Sequence, residues 1–205
     1  MANKFKFNRN IKFGGEEPIT LFAQWLKQAE ELELDNPNAC ALATADKHGR
    51  PSVRMVLLKG FDEKGFVFYT NSESQKGREL TENPYASLCF YWKSLGREIR
   101  INGPVEEVTI EQANEYFDSR ARESQIGAWA SKQSRLLRSQ DELEEQIAIF
   151  TARFDSKKVP RPEFWRGYRI KPEVVEFWIE KNFRLHERFV YKRIDQGWQT
   201  ERLYP

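Results

Sequence analysis

The chain has 205 residues, enough for one domain with a substantial core or for two small ones. An aromatic content of 14%, with six Trp and 15 Phe, argues against a disordered chain. The 33 basic and 31 acidic side chains leave a formal charge of +2, which excludes a general polyanion-binding surface. Any basic site must therefore be local.

Cysteine usage and the terminal sequence predict a cytoplasmic protein. Cys40 and Cys89 lie in apolar, strand-like runs, and the simplest interpretation is two buried free thiols in a reducing compartment. The first residues lack an apolar core of signal-peptide length. No run approaches the roughly 20 apolar residues that are needed to span a bilayer.

The first half of the chain predicts one helix followed by hairpins. Thr20 is predicted to cap a helix with apolar residues at helical spacing, and Asn36-Pro37 is predicted to end it. Apolar runs separated by glycine-containing turns then predict strands over residues 39–44, 51–61 and 66–70. Residues 74–83 predict a short helix that Pro84 ends.

The second half mixes strands and helices. Strands are predicted over residues 85–92 and 98–108, helices over 109–122 and 141–154, and strands again from 165 to 203. Many short strands with helices inserted between them predict a β-barrel or sandwich in one α+β domain. Five of the tryptophans are predicted to be core or interface residues: Trp25, Trp92, Trp129, Trp165 and Trp198.

Residues 184–188, Arg-Leu-His-Glu-Arg, are the most informative local sequence. If this segment is extended, Arg184, His186 and Arg188 share one face. These cationic groups repel each other unless an anionic or electron-rich ligand lies against them, and arginine suits phosphate or an aromatic ring. The alternative is a solvated strand face on which Glu187 offsets part of the charge.

Tyr116, Arg120 and Ser124 are spaced to lie one above the other on a continuous helix. A phenol, a guanidinium and a hydroxyl in a row are suitable donors for a phosphate monoester. The alternative is ordinary surface decoration of the helix.

Two further segments with basic residues are a predicted strand and the start of a predicted helix. Arg54 and Lys59 have odd spacing, so in a regular strand they point to opposite faces and would serve different ligands. Ser74-Gln75-Lys76 lies at a predicted helix N-terminus, which favours an anion, although an ordinary N-cap has the same sequence pattern.

The sequence lacks several well-known motifs. It has no zinc-type Cys/His spacing, no P-loop, no Gly-x-Gly-x-x-Gly and no Gly-x-Ser-x-Gly. The remaining basic clusters favour a phosphorylated cofactor together with a phosphorylated substrate.

From about Thr20 to Pro205 the chain resembles the pyridoxine (pyridoxamine) 5′-phosphate oxidase family. The markers occur in order over residues 54–59, 68–71, 119–134, 176–178, 184–188 and 201–205. The resemblance implies an FMN-binding split β-barrel with flanking helices, in one α+β domain over 20–205, after a short N-terminal arm over 1–19. It also implies a homodimer, held in part by the C-terminal segment, with two active sites at the subunit interface.

The resemblance also assigns residues and an activity. The implied FMN contacts are Arg54, Lys59, Tyr69, Thr70, Lys76, Glu98, Gln133, Ser134, Trp178 and Arg188. The implied substrate-phosphate contacts are Lys59, Tyr116, Arg120 and Ser124, and the residues implied over the pyridine ring, as catalytic groups, are Arg184 and His186. The implied reaction is oxidation of pyridoxine or pyridoxamine 5′-phosphate to pyridoxal 5′-phosphate by oxygen, with hydrogen transferred to the flavin.

Four positions depart from the family pattern. Gln75 stands where Arg is usual, Glu98 where Gln is usual, Asn36 where Asp is frequent, and Arg166 where Gly is usual. Loss of one charged phosphate contact, typically about 1.5–3 kcal/mol, predicts weaker FMN binding. The alternatives are a related FMN oxidase of the dihydrophenazine type and a non-catalytic carrier of FMN or pyridoxal phosphate. The complete Lys59, Tyr116, Arg120 and Ser124 set favours a phosphorylated substrate.

Overall fold

A computed structural model describes residues 17–33 and 35–205. The helices in this part of the chain are α1 (Pro18–Leu32), α2 (Gln75–Glu82), α3 (Ile110–Asp118), α4 (Arg122–Ala130) and α5 (Gln140–Arg153). The strands are β1 (Ala39–Ala45), β2 (Pro51–Leu57), β3 (Gly60–Asp62), β4 (Gly65–Asn71), β5 (Tyr85–Trp92), β6 (Arg97–Glu107), β7 (Trp165–Ile170), β8 (Val174–Ile179), β9 (Glu187–Arg193) and β10 (Trp198–Leu203). The architecture is α+β, as predicted. Most of the predicted arm over 1–19 lies outside the described residues.

All strand pairs are antiparallel, and strand β6 bends the sheet. The main order is β10-β9-β8-β6-β5-β1-β2, while β4 pairs with β3 and β7. The first part of β6 pairs with β8, and its last residues, from Val105 onward, pair with β7 instead. One long strand thus takes part in both halves of a curled sheet, which brings β4 and β7 close to the helices that follow β6.

Helix α1 covers the inside of the curled sheet with aromatic side chains. The Phe22 ring lies edge-on to Phe61, Phe66 and Phe90 at centroid distances of 4.9, 4.9 and 5.2 Å. Burial of each such side chain contributes about 2 kcal/mol. A second apolar cluster, built around Phe117 and Trp165, packs α3, α4 and α5 against β7. This second cluster fixes the position of the helices beside the candidate site.

Two predicted boundaries near the N-terminal half are wrong. Helix α1 begins at Pro18, after the N-cap residue Glu17, so Thr20 lies inside the helix and does not cap it. Proline suits the first turn because its missing N–H group is not needed there. The predicted strand over 51–61 is two strands, because the chain turns at Leu58 and Lys59, where the Lys59 N–H donates to Val67 O at 2.8 Å.

The predicted continuous helix over 109–122 is also wrong. Helix α3 ends at Asp118 and α4, which was not predicted, begins at Arg122. The Gln125 side chain donates to Phe117 O at 2.8 Å and to Asp118 O at 3.3 Å, so buried carbonyls at the end of α3 are satisfied by a side chain of α4. Tyr116, Arg120 and Ser124 therefore do not share one helix face.

Residues 184–188 do not form the predicted extended segment. Asn182–Arg184 form a short turn, in which Phe183 and Arg184 have φ values of 60° and 61°, and β9 begins only at Glu187. Of the three cationic residues, Arg188 alone lies within a strand.

None of the helices in the described part of the chain has the length and apolar character needed to span a membrane.

Candidate active site

A cleft of about 470 Å³ lies between β2, β4 and the helices α3 and α4. It brings together eight residues that the sequence singled out: Lys59, Tyr69, Thr70, Lys76, Tyr116, Arg120, Ser124 and Gln133. Three of these side chains are cations, and no residue lining the cleft from the described ranges is acidic. We call this site the cationic cleft. Its charge pattern fits an anionic ligand.

Arg120 is the most unusual group of the cationic cleft. Its guanidinium lies over the rings of Trp165, at 4.9 Å, and Phe117, at 5.6 Å. Its Nη1 atom is buried and has no hydrogen-bond partner within residues 17–33 and 35–205. Burial lowers the pKa of Arg120, although an arginine remains charged in proteins. A buried donor atom of a cation that has no partner is costly unless an anion binds there.

An aromatic stack forms the floor beside Arg120. The Tyr69 ring stacks on Tyr116 at 4.1 Å and on Trp165 at 5.2 Å between centroids. Lys59 lies over the Tyr116 ring, with its Nζ 6.0 Å from the centroid. The residue opposite Tyr69 on β7 is Gly167, and a Cβ atom there would lie 2.6 Å from Tyr69 Cε1. The glycine therefore makes room for the ring.

We expect Gly167→Ala to destabilise the protein by about 2 kcal/mol, because the added methyl overlaps a ring that is held by two stacking neighbours. Urea denaturation measures the change in the free energy of unfolding. The matched control is Gly127→Ala in α4, where a Cβ meets nothing within 4 Å and alanine favours the helix by about 1 kcal/mol. Equal effects of the two substitutions would contradict the argument.

Lys76 provides a second cationic position in the same cleft. The residue is only 8% exposed, and its Nζ lies 3.3 Å from Thr70 Oγ1, 3.4 Å from Gln133 Oε1 and 3.5 Å from Ser74 Oγ. All three partners are neutral. Burial lowers the pKa of Lys76, and the nearby charge of Arg54 adds to this effect. The lysine also lies in the first turn of α2, where free N–H groups attract anions.

Arg54 does not line the cationic cleft but lies behind it in a polar cluster. Its guanidinium donates to Thr44 Oγ1 and Ser52 Oγ, each at 2.5 Å, and lies 3.3 Å from Glu79 Oε2. Gln75 donates from Nε2 to Glu79 Oε1 at 2.8 Å. Gln75, one of the four residues that depart from the family pattern, is therefore bound to Glu79.

Glu79 is buried and remains ionised. Burial raises its pKa, but hydrogen bonds from Ser52, Thr44 and Gln75, together with the Arg54 charge, outweigh this effect and lower the pKa to about 2. Because the folded pKa lies below the unfolded one, Glu79 contributes stability that is complete above the unfolded pKa. That stability is lost as the pH falls towards 2.

We expect Glu79→Gln to lower the free energy of unfolding by about 2 kcal/mol at pH 7 and by much less near pH 3. Urea denaturation at both pH values measures this difference. Glu82→Gln is the matched control, since Glu82 lies on the same helix and is exposed. A loss for Glu79→Gln that is the same at both pH values would contradict the proposed role of its charge.

A second set of predicted residues lies on the outer face of the sheet. Trp178, Arg184 and His186 line an open groove, and the strand neighbours of Trp178 are Glu98 on β6 and Arg188 on β9. The His186 ring lies 4.4 Å from the Trp178 ring. The Lys181 N–H donates to His186 Nδ1 at 3.2 Å, so the proton of the neutral imidazole lies on Nε2.

The structure therefore divides most of the predicted residues between two surfaces, and Arg54 and Ser134 lie outside both. No residue lines both the cationic cleft and the groove among those that the structure describes. Ser134, with a φ of 66°, lines a neighbouring pocket next to Gln133. The cleft is also lined by Asn71 and Trp165, which were not predicted as site residues and are opposite each other on β4 and β7. Trp165 was expected in the core, and it is indeed only 6% exposed.

Solved structures share this fold. A pyridoxamine 5′-phosphate oxidase-related, FMN binding protein from Nostoc punctiforme superposes with a TM-score of 0.73 at 18% identity, covering 91% of this chain and 96% of the other. PhzG from Burkholderia lata, in complex with tetrahydrophenazine-1-carboxylic acid, has a TM-score of 0.90 at 35% identity, covering 97% of this chain and 98% of PhzG. The chain is thus an α+β split-barrel protein, as predicted.

Sequence comparison narrows the class to one family. Residues 26–154 match the pyridoxamine 5′-phosphate oxidase family, and residues 165–205 match the pyridoxine 5′-phosphate oxidase C-terminal dimerisation region. The pyridoxine/pyridoxamine 5′-phosphate oxidase of Sinorhizobium fredii is 58% identical over 93% of both chains. That of Rhizobium meliloti is 57% identical over 92% of this chain and 93% of its own. The chain belongs to the pyridoxamine 5′-phosphate oxidase family.

Proposed function

We propose that the protein is an FMN-dependent oxidase that converts pyridoxine 5′-phosphate and pyridoxamine 5′-phosphate to pyridoxal 5′-phosphate. Oxygen is the electron acceptor and leaves as hydrogen peroxide, while the amine substrate also takes up water and releases ammonia. The observation that carries this proposal is the buried, unpartnered Nη1 of Arg120 in a cleft lined by three cations. Family membership and the names of the relatives support the same reaction.

The cationic cleft has two positions that suit phosphate monoesters. Around Arg120, the donors Lys59, Tyr116 and Ser124 fit the substrate phosphate. Around Lys76, the hydroxyl of Thr70 and the first turn of α2 fit the phosphate of FMN. One cation lies at each position, Arg120 at the first and Lys76 at the second, and no carboxylate lines the cleft among the described residues.

The chain's own residues bind, orient and hold protons, while FMN, when bound, accepts the two electrons. Arg120 and Lys59 would fix the substrate by its phosphate, which positions the rest of the pyridine for reaction. The imidazole of His186 presents its Nε2–H, and the guanidinium of Arg184 offers several N–H donors. Both groups suit contacts with an electron-rich pyridine ring and its oxygen substituent.

We further propose that the protein acts as a homodimer. Each active site then combines the cationic cleft of one copy with the groove residues Trp178, Arg184 and His186 of the other. The match to a dimerisation region supports a dimer. Val53 and Met55, on β2 next to the cleft, are 68% and 66% exposed, which is unusual for apolar side chains and suits a covered surface. The predicted cytoplasmic location remains a prediction.

The test is an aerobic assay of the FMN-supplemented protein with each phosphorylated substrate. We expect pyridoxal 5′-phosphate and hydrogen peroxide in a one-to-one ratio. Bound flavin without any product would overturn the oxidase proposal and favour a carrier of FMN or pyridoxal phosphate. Anaerobic mixing with substrate separates these cases, because only an oxidase bleaches the flavin absorbance.

A second candidate is an oxidase of a reduced phenazine, since PhzG has the same fold at 35% identity. The cationic cleft argues against it, because a phenazine carboxylate does not need the complete set of Lys59, Tyr116, Arg120 and Ser124. A reduced phenazine carboxylic acid offered in the same assay is expected to be a poor substrate. Preferential turnover of that compound would favour the second candidate.

A further inference from the structure

Four charged side chains form a continuous chain on the outer face of the sheet. Arg100 donates from Nη2 to Glu176 Oε1 at 2.5 Å, and Arg188 donates to both Glu176 oxygens at 2.6 and 3.1 Å. At the other end, Arg100 Nε lies 3.0 Å from Glu98 Oε1, a close ion pair without good hydrogen-bond geometry. We call Glu98, Arg100, Glu176 and Arg188 the charge chain.

The charge chain passes around Trp178. Glu98 and Arg188 are the strand neighbours of Trp178 on its two sides, while Arg100 and Glu176 are opposite each other in the next row. Glu176 is only 8% exposed and receives donors from both arginines. The hydrogen bond to Glu176 raises the pKa of Arg188. The two arginines of the charge chain are therefore held by one buried carboxylate.

The charge chain compensates the negative charge of Glu98. Where the family usually has a neutral glutamine, this chain has a carboxylate beside Trp178, and the family resemblance implies that both residues contact the flavin. An unpaired carboxylate there would repel an electron-rich or anionic reduced ring. Arg100 offsets that charge, and with Glu176 and Arg188 the four side chains carry no net charge.

We propose that Arg100 and Glu176 are positioning residues that couple Glu98 to Arg188 and make a carboxylate at residue 98 compatible with flavin binding and reduction. This inference rests on the proposed function, because it requires FMN at the Trp178 surface. Arg100 acts through Glu98, and Glu176 acts through Arg188. The proposal therefore predicts that the effect of removing Arg100 depends on which residue occupies position 98.

The experiment makes two measurements. Titration of the apo-protein with FMN, followed by flavin fluorescence, gives the dissociation constant, and a redox titration gives the midpoint potential of the bound flavin. Arg100→Met is expected to weaken FMN binding about tenfold and to make the potential more negative, since Glu98 then lacks its counter-ion. Adding Glu98→Gln should restore most of both properties. Arg100→Lys, which keeps the charge, should stay near the wild type.

Lys192→Met is the matched control. It breaks the ion pair between Lys192 and Glu201, which are 2.6 Å apart on the same sheet face but outside the charge chain. The FMN affinity and the flavin potential should stay unchanged. If Arg100→Met weakened FMN binding equally in the wild-type background and in the Glu98→Gln background, the coupling between these residues would be overturned. The proposed function would still stand. Failure of the wild-type protein to bind FMN would overturn both.

Discussion

Arg120→Ala is expected to lower kcat/KM for pyridoxine 5′-phosphate about 100-fold. The substitution removes a cation whose buried Nη1 has no partner in the described part of the chain. Loss of charge-assisted hydrogen bonds to a phosphate costs about 1.5–3 kcal/mol, and the upper part of that range corresponds to about 100-fold. Steady-state kinetics with the phosphorylated substrate measures the loss.

Unphosphorylated pyridoxine provides the control that separates phosphate recognition from general damage. The wild type should discriminate strongly between the two substrates, whereas Arg120→Ala should bring their kcat/KM values much closer. Arg50→Ala, at an exposed position in the β1–β2 turn, should leave the discrimination unchanged. If Arg120→Ala lowered activity on both substrates by the same factor, the substrate phosphate would not bind there.

The residues of the proposed phosphate position show what sequence spacing can and cannot predict. Tyr116, Arg120 and Ser124 were grouped because a continuous helix aligns residues four apart, yet the helix breaks between Asp118 and Arg122. All three nevertheless line the cationic cleft. Gln125 ties the two helices together, so the short turn keeps the residues close. Their proximity was predicted correctly, whereas the continuous helix was not, and their role in binding phosphate stays a prediction.

The failed prediction over residues 184–188 has a clear physical cause. Alternating side chains and nearby β-branched residues indicated a strand, but Phe183 and Arg184 adopt left-handed backbone conformations. Such conformations are usually signalled by glycine or asparagine, and neither of these two residues is one. The sequence therefore carries no local signal for the turn that places Arg184 and His186 at the groove.

Non-local strand pairing also determines which residues meet, and spacing along the chain does not reveal it. Glu98 and Trp178 are 80 positions apart in sequence but are direct neighbours on β6 and β8. The departures from the family pattern could be recognised from sequence, whereas the distant partners of these regions could not. The bond from Arg100 to Glu176 and the contact of Arg54 with Glu79 become visible only once the sheet and α2 are in place.

Lys76→Met is expected to weaken FMN binding about 100-fold at pH 7. The methionine retains most of the apolar volume, so that the substitution mainly removes the charge and its donors. The lysine is buried among neutral oxygens, and a phosphate bound there would face little competition from water or from a carboxylate. Titration of the apo-protein, followed by flavin fluorescence, measures the change. Lys64→Met, at the exposed turn before β4, is the control.

The pH dependence of FMN affinity tests the same assignment independently. The apo-protein lowers the pKa of Lys76, chiefly through burial, whereas a bound phosphate favours the protonated amine. Affinity should therefore fall as the pH rises through this lowered pKa, at a pH below that expected for an ordinary lysine near 10.4. Flavin ionisation also affects affinity in alkaline solution, but it acts equally on the variant. The difference between the wild-type and Lys76→Met curves thus isolates the lysine, and parallel curves from pH 7 to 10 would mean that Lys76 does not bind the FMN phosphate.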